Sequence, residues 1–530
     1  MSDITHTEIA TGSEKGKWYW FLRNATKQMR QLGWKYRILL SLLAVVFFLL
    51  IFAFRPLYHS FILGIRIHLF YAIATLCVLV SLYLLVKKRW WKTFFTALTG
   101  LIIFFVIVFL CDVSPHKYLT LYRQYKMLNI VELDDLPQTA YERIQPYNSI
   151  HTLANEAMME TETPTEPDFV RIGEDYRWTM AIEPAYNIPR IWNNIKSLVS
   201  VSASAPSPDF SSKNRISVDF GVGENLLLSK NTHTATIRAF GLRRYLSYEP
   251  SDVKYVTNDS GEWVQIVSLV RWRGILFPRP EFGGVQVIRQ DAQHSLWSMF
   301  KRWLLGTGKW ISPEEISKHT YLVNQSTLPK IVSRFIANSF RFQEGFFAPL
   351  PAYHRGDIRI PDLPEDIHDQ PFTVYANFEN DKAPDGLYQY FALEPFHPDK
   401  QGLSTSLFIP ADGKNVIYVY KHHLKSEALT GVSAIAAKVI ESKKFYDWNR
   451  NHPVEHRPFI RLIDGKMRFL WLTTVVTKKE LGGKQFIAGS IPDVVLTDAA
   501  YKVTSWVDPL HPELWIQTIS KEFAGVWNQK

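Results

Sequence analysis

The chain has 530 residues, a formal net charge of +10 and 47% hydrophobic residues, with aromatics making up 14% of the total. Of its 60 basic and 50 acidic residues, 13 and 4 fall within residues 1–112, which leaves 47 and 46 for the remainder. The excess charge belongs to the N-terminal segment, and a basic face for nucleic acid is excluded.

Residues 1–37 are polar and carry Lys15, Lys17, Arg23, Lys27, Arg30, Lys35 and Arg37. They lack the short apolar core and small-residue cleavage site of a removed signal. Three apolar runs follow, at 38–54, 67–86 and 94–111. Each is about the 17–25 residues that a bilayer core requires of a helix. The pattern predicts three transmembrane helices in a block over 38–112. The hinge Lys87-Lys88-Arg89-Trp90-Trp91-Lys92 is basic, whereas the first hinge carries only Arg55, His59 and Arg66. Basic residues stay inside, so residues 1–37 are expected in the cytoplasm and 113–530 outside an inner (plasma) membrane. Arg66 and His68 stand at the head of the second run as intramembrane polar residues. Snorkelling to the interface accounts for them, and an ion or proton pathway is the alternative.

Both cysteines, Cys77 and Cys111, lie in these runs. The remainder therefore has no disulfide and no thiolate ligand or nucleophile, which points to a bacterial envelope.

Residues 113–168 read as a helical stalk and linker. Tyr118, Leu121, Tyr122 and Tyr125 recur at helical spacing, as do Ile150, Leu153, Ala154, Ala157 and Met158. The acidic, proline-broken stretch 160–167 and the Ser/Ala/Pro-rich stretch 200–212 read as linkers. Strand signals then take over, at 215–220, 234–240, 372–378 and 416–420. Two segments resemble each other, 259–292 and 464–499: an Asp/Gly turn, a long aromatic strand, a loop, and a strand ending at Asp291-Ala292 or Asp498-Ala499. A partial third copy begins at Phe169. The expectation is a membrane protein whose three N-terminal transmembrane helices precede an α+β extracytoplasmic region of repeated antiparallel sheet-plus-helix modules, divided at 169–310 and 311–530. The stripe Val432, Ile435, Ala436, Val439 and Ile440 supplies one covering helix.

The tail Leu496-Thr-Asp-Ala-Ala-Tyr-Lys-Val-Thr-Ser-Trp-Val-Asp-Pro509, within 464–515, resembles PepSY- or cystatin-like modules of uncharacterised multi-spanning bacterial membrane proteins. This chain departs from that pattern in having three apolar runs rather than many. The resemblance implies an architecture and a location, and no reaction.

Site chemistry is sparse. Leu296, Met299, Phe300, Trp303 and Leu304 form an amphipathic stripe with Trp297 beside it and Lys301 and Arg302 opposite. Packing on a sheet is the plain reading, and Trp297, Phe300, Trp303 and Leu304 as a membrane or partner contact the sharper one. Gly306-Thr-Gly-Lys309 fails as a phosphate loop because Trp310 stands where Ser or Thr must hold magnesium. His422, His423, His452 and His456 read as solvated loop histidines, since prolines deny the last two a common helical face. Glu365, Asp366 and Glu379 read as solvated loop charges. No catalytic residue, cofactor or metal is assigned. The expected function is a non-catalytic membrane-anchored scaffold or assembly component of the envelope, contacting the lipid bilayer and self-associating or joining other envelope proteins. An envelope enzyme acting on glycans or peptides, and a transport or channel subunit, are the alternatives. A deep pocket with converging carboxylates would favour the enzyme.

Overall fold

The computed structural model describes residues 34–530, apart from 88, 109–114, 212–213, 276, 291–295, 351–352, 364–369, 379–382, 398, 426–427, 482–483, 488–490 and 529–530. It falls into two compact units, the first ending at Tyr58 and the second running from His59 to Lys530.

In the first unit the helix Trp34–Ala53 is apolar around nearly its whole circumference from Ile38 onward. After it, the Arg55 guanidinium lies 3.7 Å from the Phe52 ring centroid and donates to the Phe52 carbonyl at 2.7 Å.

The second unit begins within the helix Arg55–Ile67, followed by Leu69–Val86 and Trp90–Val108. This arrangement corrects the expectation of three transmembrane helices. Among the described residues no single helix is long and apolar enough to cross a membrane; Ile38–Ala53 and Arg55–Ile67 meet the criterion only as a pair broken between them. The physical reason lies in the first hinge, which is itself a helix with protein-directed side chains. His59 and Leu63 are buried, and the His59 ring packs 4.9 Å from that of Tyr245. Arg66 donates to the carbonyls of Leu246, Trp272 and Gly274, so its guanidinium is held by backbone acceptors at a helix end and at the end of a strand. His68 is exposed at the break between two helices. The end of the third run, 109–111, lies outside the described residues.

Four sheets build the rest. A central seven-stranded sheet runs Ile130–Glu132, Ile417–Lys421, Thr405–Pro410, Gly386–Pro395, Phe372–Asn377 and Gln138–Ala140, with Ile358–Arg359 against Gly386–Pro395. Its strands read as near-continuous apolar runs because both faces are covered. Tyr388, Tyr390 and Phe408 point to a core shared with Ile460, Phe469 and Trp471, whereas Phe391, Leu393 and Leu407 pack under Val332 and Ile336 of the helix Lys330–Ser339. That alternation is the period of two that a pleated strand imposes. The segment 113–168 is thus no separate stalk and linker. Its helix Pro115–Met127 seats Tyr118 4.7 Å from Phe342, its short strands join the central sheet, and Glu162–Pro164 pairs with Asp175–Pro184.

The other three sheets each contain a four-stranded meander in the same order. One runs Asp168–Ile172, Asp175–Pro184, Ile195–Ser202 and Arg215–Phe220; the second Tyr248–Thr257, Trp263–Arg273, Arg279–Arg289 and Lys309–Ile311; the third Asn451–Ile463, Lys466–Leu481, Asp493–Asp498 and Thr504–Val507. In each, the first turn places a glycine, Gly173, Gly261 or Gly465, at positive φ, where a Cβ would be strained. The helix Trp515–Trp527 buries Trp515, Ile519 and Phe523 on the third sheet.

Two readings of local structure change. Residues 234–239 are helical, in Thr232–Ala239, because the Asn231 side chain accepts the Thr234 N–H and supplies the cap that outweighs a β-branched composition. His422 and His456 are buried rather than solvated: His422 Nε2 lies 2.9 Å from Ser406 Oγ, and His456 Nδ1 2.9 Å from Thr473 Oγ1. Burial drives His456 down to about 3, so it remains a neutral core residue.

Gly306 explains the loop that imitates a phosphate-binding motif. Its N–H closes the helix Leu296–Leu305 on the Arg302 carbonyl at 2.8 Å, at φ +74°. A Cβ there would stand 2.2 Å from the Ala235 carbonyl oxygen and 2.4 Å from Ala239 N. Both are backbone atoms that cannot yield. Gly306→Ala is expected to lower unfolding stability by about 2–4 kcal/mol, from the left-handed backbone and the overlap together. A urea midpoint within error of the parent protein would refute this account.

Candidate functional site

A cavity of about 490 Å³ opens between the first two meanders and the edge of the central sheet, and it concentrates carboxylates. Glu166 and Asp168 flank Pro167 where the chain enters the strand Asp168–Ile172. Lys254 comes from the neighbouring strand, and its ammonium donates to Asp168 Oδ1 at 2.9 Å, both side chains being largely buried. Between Pro250 and Val253 the pairing of that strand slips at a bulge. A bulge re-aims side chains, and here it presents Ser251 and Asp252 along the wall of the cavity.

Glu224 comes from the loop after Arg215–Phe220. That loop is tied at both ends: Gly223 N donates to Lys230 O at 2.9 Å, Thr232 N to Gly223 O at 2.8 Å, and Asn231 Nδ2 to Glu224 O at 2.6 Å. Glu224 Oε1 is sealed from solvent, lines the cavity wall and has no hydrogen-bond partner. Burial, reinforced by Asp168 and Glu183, raises the Glu224 carboxyl well above its ordinary range. Burial also lifts Asp168, to about 6, even with Lys254 beside it. The ammonium moves the other way from its own burial, because Asp168 and Asp252 outweigh that cost and hold it above its usual value. These shifts share one cause: carboxyls drawn out of water and set close to one another, with Lys254 paired to Asp168.

At the rim His233 Nε2 lies 2.8 Å from the Ser251 carbonyl. A carbonyl only accepts, so Nε2 carries the proton and Nδ1 is left as an acceptor. On the far wall the Arg143 guanidinium stands 5.4 Å from the Phe169 ring centroid and 5.3 Å from that of Trp178, and 3.5 Å from Glu455. Its Nε has no partner. Phe169 and Trp178 add an apolar floor beside the charges.

None of the candidate contact or intramembrane polar residues, Trp297, Phe300, Trp303, Leu304, Arg66 and His68, is in this cavity. Trp297 is 72% exposed and stacks on Phe300 at 5.8 Å, while Trp303 and Leu304 are half-buried. Arg302, expected on the solvent face, instead donates to the Gly221 carbonyl at 2.9 Å. Arg66 is on the carbonyls already described, and Glu365, Asp366 and Glu379 lie outside the described residues. The cavity residues went unnoticed because Asp168, Glu224 and Lys254 are far apart in sequence. One signal was available: a lone charge inside an apolar strand, as in Val253-Lys-Tyr-Val256 and Met180-Ala-Ile-Glu183. Among the described residues no group of His, Cys, Asp or Glu is arranged to hold a metal ion.

No family model, no curated protein and no solved structure matches this chain.

Proposed function

We propose that the cavity is the acid–base site of an enzyme that cleaves glycans. The observation that carries the reading is the sealed Oε1 of Glu224, on a carboxyl that burial raises, in one cavity with an ion-paired Asp168. Two carboxyls whose surroundings set them in opposite protonation states are what glycoside hydrolysis needs. Glu224 gives its proton to the bridging oxygen as the bond from that oxygen to the ring carbon breaks. Asp168, ionised above about pH 6, faces the positive charge that develops on the ring. Water completes the reaction: its hydroxyl goes to the ring carbon and its remaining proton restores Glu224.

The test is to incubate the full chain with linear neutral and N-acetylated oligosaccharides and follow new reducing ends from pH 4 to 9. The expected rate rises through about pH 6, as Asp168 ionises, and falls at higher pH as Glu224 loses its proton. Absence of product at every pH would overturn the proposal. A second reading, a scaffold or assembly component of the envelope, is favoured by one feature, the aromatic face Trp297–Phe300 held exposed on the helix Leu296–Leu305.

A further inference from the structure

A second cavity, of about 620 Å³, lies beside the first and takes in Glu162, Glu183, Tyr186, Trp192, Asn193, Asn194 and Lys196 along its lining. The wall between the two cavities is thin and is built from the loop that carries Glu224. Glu183, on the second cavity, accepts through Oε2 the N–H of Asn225, on the first, at 2.8 Å. Glu183 is 1% exposed, its Oε1 has no partner, and burial raises it to about 7. Gly223 makes the approach possible, since a Cβ there would stand 2.3 Å from that oxygen.

The aromatics above Glu183 are exposed by construction. Trp192 is 67% and Tyr186 51% exposed, on and before the helical turn Asn187–Trp192. Three bonds hold that turn in place. Arg190 Nε donates to Pro184 O at 2.8 Å, Leu227 N to Arg190 O at 3.1 Å, and the buried Lys230 ammonium to Trp192 O at 2.6 Å. The same ammonium reaches Asn194 Oδ1 at 2.7 Å, and Asn194 Nδ2 donates to Asp219 Oδ1 at 2.7 Å. Two exposed aromatic rings on an anchored turn, bordered by amides and carboxylates, match a sugar ring, with an apolar face to stack and hydroxyls around its edge. A greasy protein partner would strand the amides.

Resting on the reading of the first cavity as an acid–base site, we infer that the second cavity is its neighbouring sugar subsite. One linear glycan strand stacks on Trp192 and Tyr186 and continues past Glu183 into the cavity of Glu224. The substrate class is therefore an extended oligosaccharide rather than a disaccharide.

The experiment measures binding of linear N-acetylated and neutral oligosaccharides of two to six rings to the full chain, by calorimetry, for the parent protein, Trp192→Ala and Glu224→Gln. Affinity is expected to rise with chain length, and Trp192→Ala to weaken the longest ligand about tenfold, roughly the loss of one ring stack. Glu224→Gln is expected to keep the rise of affinity with chain length while cleaving the longest ligand about 10²- to 10⁴-fold more slowly. Equal affinity for two and six rings, or Trp192→Ala binding the longest ligand like the parent, overturns the subsite. So does a loss on Trp192→Ala confined to binding of phosphatidylglycerol vesicles. Cleavage by Glu224→Gln at the parent rate with the length dependence intact instead overturns the acid–base reading alone.

Discussion

Replacing Glu224 by Gln is expected to reduce kcat for oligosaccharide cleavage about 10²- to 10⁴-fold, the range a positioned proton donor supplies. Gln keeps the shape and polarity of the protonated carboxyl but has no acidic proton to give. The loop around it should hold, because Asn231 bonds the Glu224 backbone carbonyl and not its side chain. Stability near neutral pH is expected to stay level or rise, since the wild-type carboxyl is buried where ionisation is costly. The two readouts together separate chemistry from folding. A variant that is folded and cleaves at the parent rate would remove Glu224 from the mechanism.

How much of this was legible in the sequence depends on the range of the interaction. Asp-Gly turns at 259–261 and 464–465 announced hairpins, because positive φ is a local demand that a glycine answers locally. The stripe Val432, Ile435 and Val439 announced a buried helix face for the same reason. The carboxylate cavity had no such signature: Asp168 meets Lys254 across a sheet contact between two meanders. The apolar runs misled for the opposite reason. Their hydropathy is real, but composition does not reveal that His59, Leu63 and Arg66 turn toward the folded region and that the run breaks at His68. His452 and His456 mislead through proline, which in sequence signals loops. Pro453 and Pro458 instead lie within the strand Asn451–Ile463, whose bulge between Val454 and Arg457 accommodates the irregularity.

The second large effect concerns Lys254 and has a definite pH dependence. Lys254→Met fills the space of the aliphatic stem and removes only the ammonium that faces Asp168. Breaking a buried ion pair from one side leaves a charge without compensation, and about 3–5 kcal/mol of stability is expected to be lost at pH 8. The sign follows from Asp168. Its folded value, about 6, already lies above the ordinary aspartate range, so its contribution to stability is complete below about pH 4 and is lost as pH rises through 6. Without Lys254 the one strong influence holding that carboxyl down is gone, and its value climbs further. At pH 4 to 5 the variant can keep Asp168 protonated and neutral, so the deficit there should be small. Between pH 6 and 8 it must either ionise a buried carboxyl or hold the proton against the solvent, and the deficit should widen to its full size. Adding Asp168→Asn to Lys254→Met removes the orphaned charge and should recover most of the loss at pH 8, because a neutral pair in the same shape has no ionisation to oppose. Urea unfolding of the two variants and the parent at pH 5 and pH 8 measures all three terms. A deficit in Lys254→Met of the same size at both pH values would show that the ammonium acts through packing and not through Asp168.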